Sequence, residues 1–346
     1  MERNMEFSME EVSSKYLKFR SDLKYYKYKW VSPPKTPLGP DYDFQGFCMP
    51  ETHKQYAKMI REFKIRPDDV FVCGYPKSGT SWLQEMVWLL GNDLNYRKAE
   101  KISQMFRFPL LELASNLPVD QSISVVLDQI DLIPSPRFIK SHLPVGHLPE
   151  ELWSVKPKII QIQRNSKDAA VSLLHHYRSL HAFNGTKDEF FNLYLEGNVY
   201  YGPLVNYINE FDKLRDQSNI LFINYEDMKR DLKKVIRSTA DFLGKTINAE
   251  QVDELYQYLQ PESMRKNKAC NQEDMLFVCS TVCHSLLDPD FIFIRKATTD
   301  TYKDEMSQQF IEKFEEQIER KIERLSVKEE IIGKRLKDFS ISCEER

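Results

Sequence analysis

Val70-Phe71-Val72-Cys73-Gly74-Tyr75-Pro76-Lys77-Ser78-Gly79-Thr80-Ser81-Trp82-Leu83-Gln84-Glu85 joins an apolar β-like run to a polar loop and then to an amphipathic segment that continues as Met86-Val87-Trp88-Leu89-Leu90. That order is strand, loop, helix. Gly74 and Gly79 have the spacing of a phosphate-binding P-loop, but a Walker loop needs lysine directly after its second glycine. Here Thr80-Ser81 follow Gly79, and the lysine, Lys77, sits inside the loop. The physics of an anion cradle survives this change. Loop N–H groups and the first helical turn leave unpaired donors, and the helix dipole favours negative charge there. Ser78, Thr80 and Ser81 add hydroxyls, and Lys77 adds a cation. A nucleotide triphosphatase holds Mg²⁺ with a Lys-Ser/Thr pair and a Walker-B Asp. No Gly-Lys-Ser/Thr occurs anywhere in this chain. The loop reads as a phosphate site that works without a metal.

The 346 residues are enough for one large α/β domain or two ordinary ones, and 41% hydrophobic content with 12% aromatics supports a sizeable core. A net charge of −3 gives no reason to expect a nucleic-acid partner. The charged start, Met1-Glu2-Arg3-Asn4-Met5-Glu6, leads into no apolar stretch of a signal peptide, and no run approaches the ~18 apolar residues of a membrane span. Cytoplasmic location with reduced thiols is therefore the expectation for the six scattered cysteines. Cys279, Cys283 and His284 lie close together but lack a fourth ligand at zinc spacing, so no metal is expected.

Outward from the loop, Arg137–Lys140, Lys158–Gln163 and Asn219–Asn224 are further β-like runs. They end at Ser141-His142-Leu143-Pro144, at Arg164-Asn165-Ser166-Lys167-Asp168, and at Tyr225-Glu226-Asp227. Helical patterns follow the last two, and one of them closes on Gly244 in C-cap position. β-like runs alternating with helices predict an α/β fold: a single domain with a central parallel sheet flanked by helices. Ligands of such sheets bind beyond the carboxyl ends of the strands. Each of those ends here is polar or cationic, which predicts one anion site. Thr52–Phe63 and Ser307–Leu325 have helical spacing, the latter with Phe310, Ile311, Phe314, Ile318 and Ile322 on one stripe. Residues 1–45 become proline-rich and read as an extension lying along the body or capping a pocket. Arg107-Phe108-Pro109-Leu110-Leu111-Glu112 opens an irregular, apolar-rich region that, taken alone, reads as core packing.

The strand-end motifs together resemble the cytosolic sulfotransferases, from about Arg66 to Glu312. Tyr75–Trp82 is similar to that family's Y-P-K-S-G-T-[ST]-W loop, which binds the 5′-phosphosulfate of 3′-phosphoadenosine 5′-phosphosulfate (PAPS). Lys140–Pro144 resembles K-T-H-L-P, whose histidine is the base. Arg164–Ser172 resembles R-N-P-K-D-x-x-V-S, whose Arg and Ser hold the 3′-phosphate. Tyr225-Glu226-Asp227 resembles the segment whose tyrosine contacts the adenine. The resemblance implies residues 46–340 as the sulfotransferase domain. It implies His142, Lys77, Lys140 and Ser172 as catalytic residues. The implied cofactor site is Lys77, Ser78, Gly79, Thr80, Ser81, Trp82, Arg164, Ser172, Tyr225, Phe293, Ile294, Arg295, Lys296 and Ala297. Sulfuryl transfer runs in line through a loose transition state, so positioning and charge stabilisation should dominate. A neutral His142 would take the acceptor's proton, Lys77 would meet charge on the bridging oxygen, and Lys140 would support the sulfonate. The implied acceptor is a small, mostly apolar phenol, steroid-like or retinoid-like alcohol, with neither nucleic acid nor membrane as partner.

One stretch departs from the pattern. The family's R-K-G-x-x-G-D-W-K loop reads Arg295-Lys296-Ala297-Thr298-Thr299-Asp300-Thr301-Tyr302-Lys303. Both glycines are gone. Ala297 is expected to donate its N–H only from a negative φ, and Asp300 is expected to weaken the phosphate clamp by its charge. A non-catalytic nucleotide binder of this fold is therefore the first alternative, and a P-loop nucleotide kinase the second. The family's dimer signature K-x-x-x-T-V-x-x-x-E survives only at its ends, Lys303 and Glu312, so a homodimer stays an open option.

Overall fold

A computed structural model describes residues 7–12, 24–32, 34–116, 125–181, 183–273 and 292–324. The side chains of Ile318 and Ile322, and the Cys279/Cys283/His284 group, lie outside the described residues.

The central sheet is parallel, in the order β5-β4-β6-β7: β4 is Val70–Gly74, β5 Phe138–Ser141, β6 Lys158–Gln163 and β7 Ile220–Asn224. All four strands fall within a residue of the sequence expectation. The pairings run Val70 to Phe138 and Lys158, and Ile159 to Ile220, which brings the four carboxyl ends to one edge. β4 is buried along its whole length because helices cover both faces. The helix α1 (His53–Arg61) precedes β4, and the helix after β4, α2 (Thr80–Gly91), has apolar residues on nearly every side and is buried from Leu83 to Leu90, as a helix pressed between sheet and outer layer must be. α3 (Ser166–Leu180) follows β6 and starts on Asn165, whose side chain accepts from the N–H groups of Lys167 and Asp168. α4 (Tyr225–Arg230) follows β7 directly, and the next helix, α5 (Leu232–Leu243), ends on Gly244 at φ 73°, the C-cap expected for it.

The N-terminal segment does more than lie along the body. β1 (Phe7–Glu11), β2 (Tyr25–Trp30) and β3 (Phe47–Pro50) form an antiparallel sheet in that order. Tyr25, Tyr28 and Trp30 point inward, Trp30 Nε1 donates to Gly146 O at 2.7 Å, and Cys48 N donates to Gly202 O at 2.8 Å. Sequence reading missed these strands. A Tyr/Lys alternation identifies its buried face only once the partner strand, some twenty residues later, is in place.

Candidate active site

The strand ends converge on one cavity of about 260 Å³. Its walls carry Lys77, Gly79, Thr80, Ser81 and Trp82 from β4–α2, Lys140 near the end of β5 and His142 just beyond it, Arg164 and Ser172 from β6–α3, Tyr225 at the head of α4, and Phe293–Ala297. Every expected site residue except Ser78 is among them. Ser78 is buried behind the loop, where its N–H closes a turn on Tyr75 O at 3.1 Å.

The loop geometry explains its residues. Gly79 has φ 97°, and a Cβ there would stand 2.6 Å from Tyr225 Cδ2. Gly74 has no room for a Cβ either, with Ile162 Cγ2 and Thr80 Cγ2 each 2.6 Å away. The loop packs directly on the ends of β6 and β7, so both positions require glycine. Arg164 ties the parts together. Its guanidinium donates to Lys77 O at 3.1 Å and Thr298 O at 3.0 Å while lying 4.3 Å over the Tyr225 ring.

Lys77, Lys140, Arg164, Arg295 and Lys296 all face this cavity, and its described lining includes no carboxylate. The lysines register the crowding. Burial, then repulsion from Lys140, Arg164 and Arg295, lowers Lys77 to about 7; burial lowers Lys140 to about 8. A space that makes it hard for lysine to stay charged is a space prepared for an anion.

His142 sits at the middle of the wall and is 8% exposed. Its Nδ1 hydrogen-bonds to Gly74 O. A carbonyl only accepts, so Nδ1 carries the proton and Nε2 keeps its lone pair. Burial, with Lys140 and Lys77 nearby, holds the ring well below the usual histidine range. It is therefore neutral at pH 7 and fit to be a base. Glu112 fixes it from behind, accepting from His142 N at 2.7 Å and Ser141 Oγ at 2.9 Å; burial pushes this carboxyl up to about 7. The Arg107–Glu112 run thus supplies both a support and, through Leu110, cavity wall.

Residues 67–326 match the sulfotransferase domain model. This chain belongs to the sulfotransferase family. It is 37% identical to luciferin sulfotransferase of Photinus pyralis over 75% of this chain and 73% of that one, and 34% identical to sulfotransferase 1C2 of Rattus norvegicus over 72% and 81%. Among solved structures, retinol dehydratase in complex with androsterone and the inactive cofactor PAP superposes with TM-score 0.75 at 26% identity, covering 91% of this chain and 96% of that one. A mouse sulfotransferase complexed with PAP gives TM-score 0.62 at 25% identity, covering 78% and 90%.

This sulfotransferase holds its 297–301 loop in an unexpected way. Ala297 lies at φ 53° and Asp300 at φ 60°, so an alanine and an aspartate occupy left-handed backbone where the family pattern has glycines. The negative φ on which donation from Ala297 N was expected to depend is not found; the alanine bears a cost of roughly 1–2 kcal/mol instead. Asp168 explains why the conformation persists. This 1% exposed carboxylate in the first turn of α3 accepts from Asp300 N at 2.8 Å, Thr301 Oγ1 at 2.8 Å and Tyr302 N at 3.1 Å. The Asp300 side chain turns away to Lys303 Nζ, 3.0 Å distant, and does not line the cavity.

Sequence reading also left several wall residues unassigned. Asn116, Tyr201, His176 and His181 line the end of the cavity away from Arg295, beside Leu113, Leu173 and Leu180. Tyr201 stacks edge-on to His142 at 5.3 Å and its hydroxyl receives Asn116 Nδ2 at 2.8 Å. The signal that could have found His176 is the helical spacing of Ser172, Leu173, His176 and Leu180.

Proposed function

We propose that the cavity binds PAPS and passes its sulfonate to the hydroxyl of a small, mostly apolar acceptor. The observation that carries this reading is the set of cations around one cavity, with no carboxylate in its described lining and a neutral histidine at its middle. PAP in the two superposable structures supports the donor class. The fit is good at both ends: Lys77, Thr80 and Ser81 with the loop amides suit a 5′-phosphosulfate, while Arg164, Ser172, Arg295 and Lys296 suit a 3′-phosphate. Trp82 and Tyr225 pack edge to face with ring centres 5.7 Å apart and give the cavity an aromatic wall that suits an adenine.

Bound there, the donor supplies an electrophilic sulfonate on a bisphosphate leaving group. His142 Nε2 removes the acceptor's proton; Lys77 Nζ, held 3.9 Å from the centre of the Phe293 ring, meets charge on the departing bridge; Lys140 faces the sulfonate oxygens. Residues 46–340 form the enzyme domain in this reading, and 1–45 its extension. No helix among the described residues is long and apolar enough to cross a membrane, and a cytoplasmic location belongs to the same proposal.

The test is incubation with labelled PAPS and a phenol panel in EDTA. Sulfated product is the expected result; PAP binding without product would favour a nucleotide-binding protein, and strict Mg²⁺ dependence a kinase. Binding also has a predicted pH signature. Bound phosphates favour the charged lysines, so their low free-state values rise on binding. Below pH 7 both lysines are already protonated and affinity is flat down to the phosphate's own titration near ~6. Above the free values of about 7 and 8 the complex must take up protons, and the PAP dissociation constant rises by up to about tenfold per pH unit for each group. Calorimetry in buffers of different ionisation enthalpy reads that proton uptake directly.

A further inference from the structure

The acceptor end of the cavity mixes Leu113, Leu173 and Leu180 with polar side chains, and among these the transfer chemistry leaves His176 without a role. Ser172, Leu173, His176 and Leu180 lie on one stripe of α3. At ~1.5 Å of rise per residue the His176 ring stands about one turn beyond Ser172, away from the phosphate end. Phe293 separates it from Lys77: the Phe293 ring has Lys77 Nζ on its face at 3.9 Å, and its centre is 6.4 Å from that of His176, at 81°. His181 packs edge-on against His176 from the outer side at 5.6 Å.

The two nitrogens of His176 differ. Nδ1 is enclosed and has no hydrogen-bond partner, whereas Nε2 is not enclosed and opens on the cavity that the ring lines. A buried N–H without a partner is rarer and costlier than an unfilled lone pair. The proton therefore belongs on Nε2, directed into the cavity. Burial and the surrounding Lys77, His181, Lys140 and His142 keep the ring neutral, so it acts as a hydrogen-bond donor without charge. The neighbouring leucines cannot accept that bond.

We propose that His176 is a specificity-determining residue that donates from Nε2 to a second oxygen on the acceptor. The preferred substrates are then hydroxyl compounds carrying an ether, carbonyl or further hydroxyl oxygen, ahead of their all-carbon isosteres. This rests on the acceptor reading above and narrows its substrate class.

Four probes test it: 3-methoxyphenol against 3-ethylphenol, and 4-methoxyphenol against 4-ethylphenol, which match in size and nearly in acidity. Their dissociation constants are measured on the PAP-loaded protein, and kcat/KM with PAPS, for the unchanged chain and for His176→Phe and His176→Gln. In at least one pair the unchanged protein should favour the methoxy compound about three- to tenfold, the range of one net hydrogen bond. His176→Phe should erase that ratio while PAP affinity stays put, and His176→Gln, which keeps an N–H, should retain part of it. Equal binding of methoxy and ethyl probes, a ratio unmoved in His176→Phe, or failure of all four phenols to bind the PAP-loaded protein each overturns the inference. Failure to bind PAP at all would instead overturn the donor-site reading beneath it.

Discussion

His142→Ala should lower kcat/KM for sulfonate transfer by about 10²- to 10⁴-fold, the usual worth of a positioned general base. PAP binding should be unchanged, because the imidazole contacts Gly74 O and the acceptor side of the cavity while the phosphates meet the loops. The two readouts are single-turnover transfer to a phenol and titration of tryptophan fluorescence with PAP. Substantial transfer by the variant would remove His142 from the mechanism. The pH profile of the unchanged enzyme adds a second check. Burial and the adjacent lysines hold the ring below its ordinary value of about 6.5, so the base is already deprotonated at neutral pH. The acid limb of kcat/KM that belongs to it should therefore fall well below that value, and the rate should not improve between pH 7 and 8 on its account.

Asp168→Ala should have the larger effect on the donor. It removes the single acceptor shared by Asp300 N, Thr301 Oγ1 and Tyr302 N, leaving buried donors unpaired and the left-handed residues Ala297 and Asp300 without support. Hydrogen bonds to a charged group are worth about 1.5–3 kcal/mol each. Even one or two lost from the loop's bound conformation raise the PAP dissociation constant on the order of 100-fold. The rate at saturating donor should change far less, since His142, Lys77 and Lys140 belong to other elements. Asp168→Asn keeps one oxygen and should recover part of the affinity; a thermal melt distinguishes loss of the loop from loss of the fold. An unchanged PAP affinity in Asp168→Ala, with the protein folded, would show that the loop does not depend on this carboxylate.

The parallel sheet was legible because strands buried on both faces spell themselves as apolar runs, and because β4, β5, β6 and β7 each stop at a polar or cationic group. Much of the cavity was legible for the same reason: His142, Arg164 and Tyr225 are the first residues past β5, β6 and β7, and Lys77 is the third past β4. What stayed hidden acts through other residues. Glu112 and Asp168 are carboxylates among 52 acids in the chain, and only the fold shows them buried and holding the backbone of His142 and of the 300–302 segment. The antiparallel sheet at the N-terminus was hidden because its strands are mixed in polarity and are defined by their partners. The left-handed backbone of Ala297 and Asp300 was hidden because residue type predicts a preferred φ, while a buried carboxylate one element away imposes another.

Arg164 lies between the loop after β4 and the 298 segment, bonded to a carbonyl of each through one planar group. Neither bond uses a side chain of the segments it joins, so neither can be traded away by changing a residue there. The guanidinium thus acts as a gauge block: it sets the gap between the two phosphate cradles before any donor arrives. On the proposed donor reading, adenosine nucleotides whose charge all sits at the 5′ end would fill one cradle and leave the other empty, and the donor would be selected by the distance between charges and not by their number.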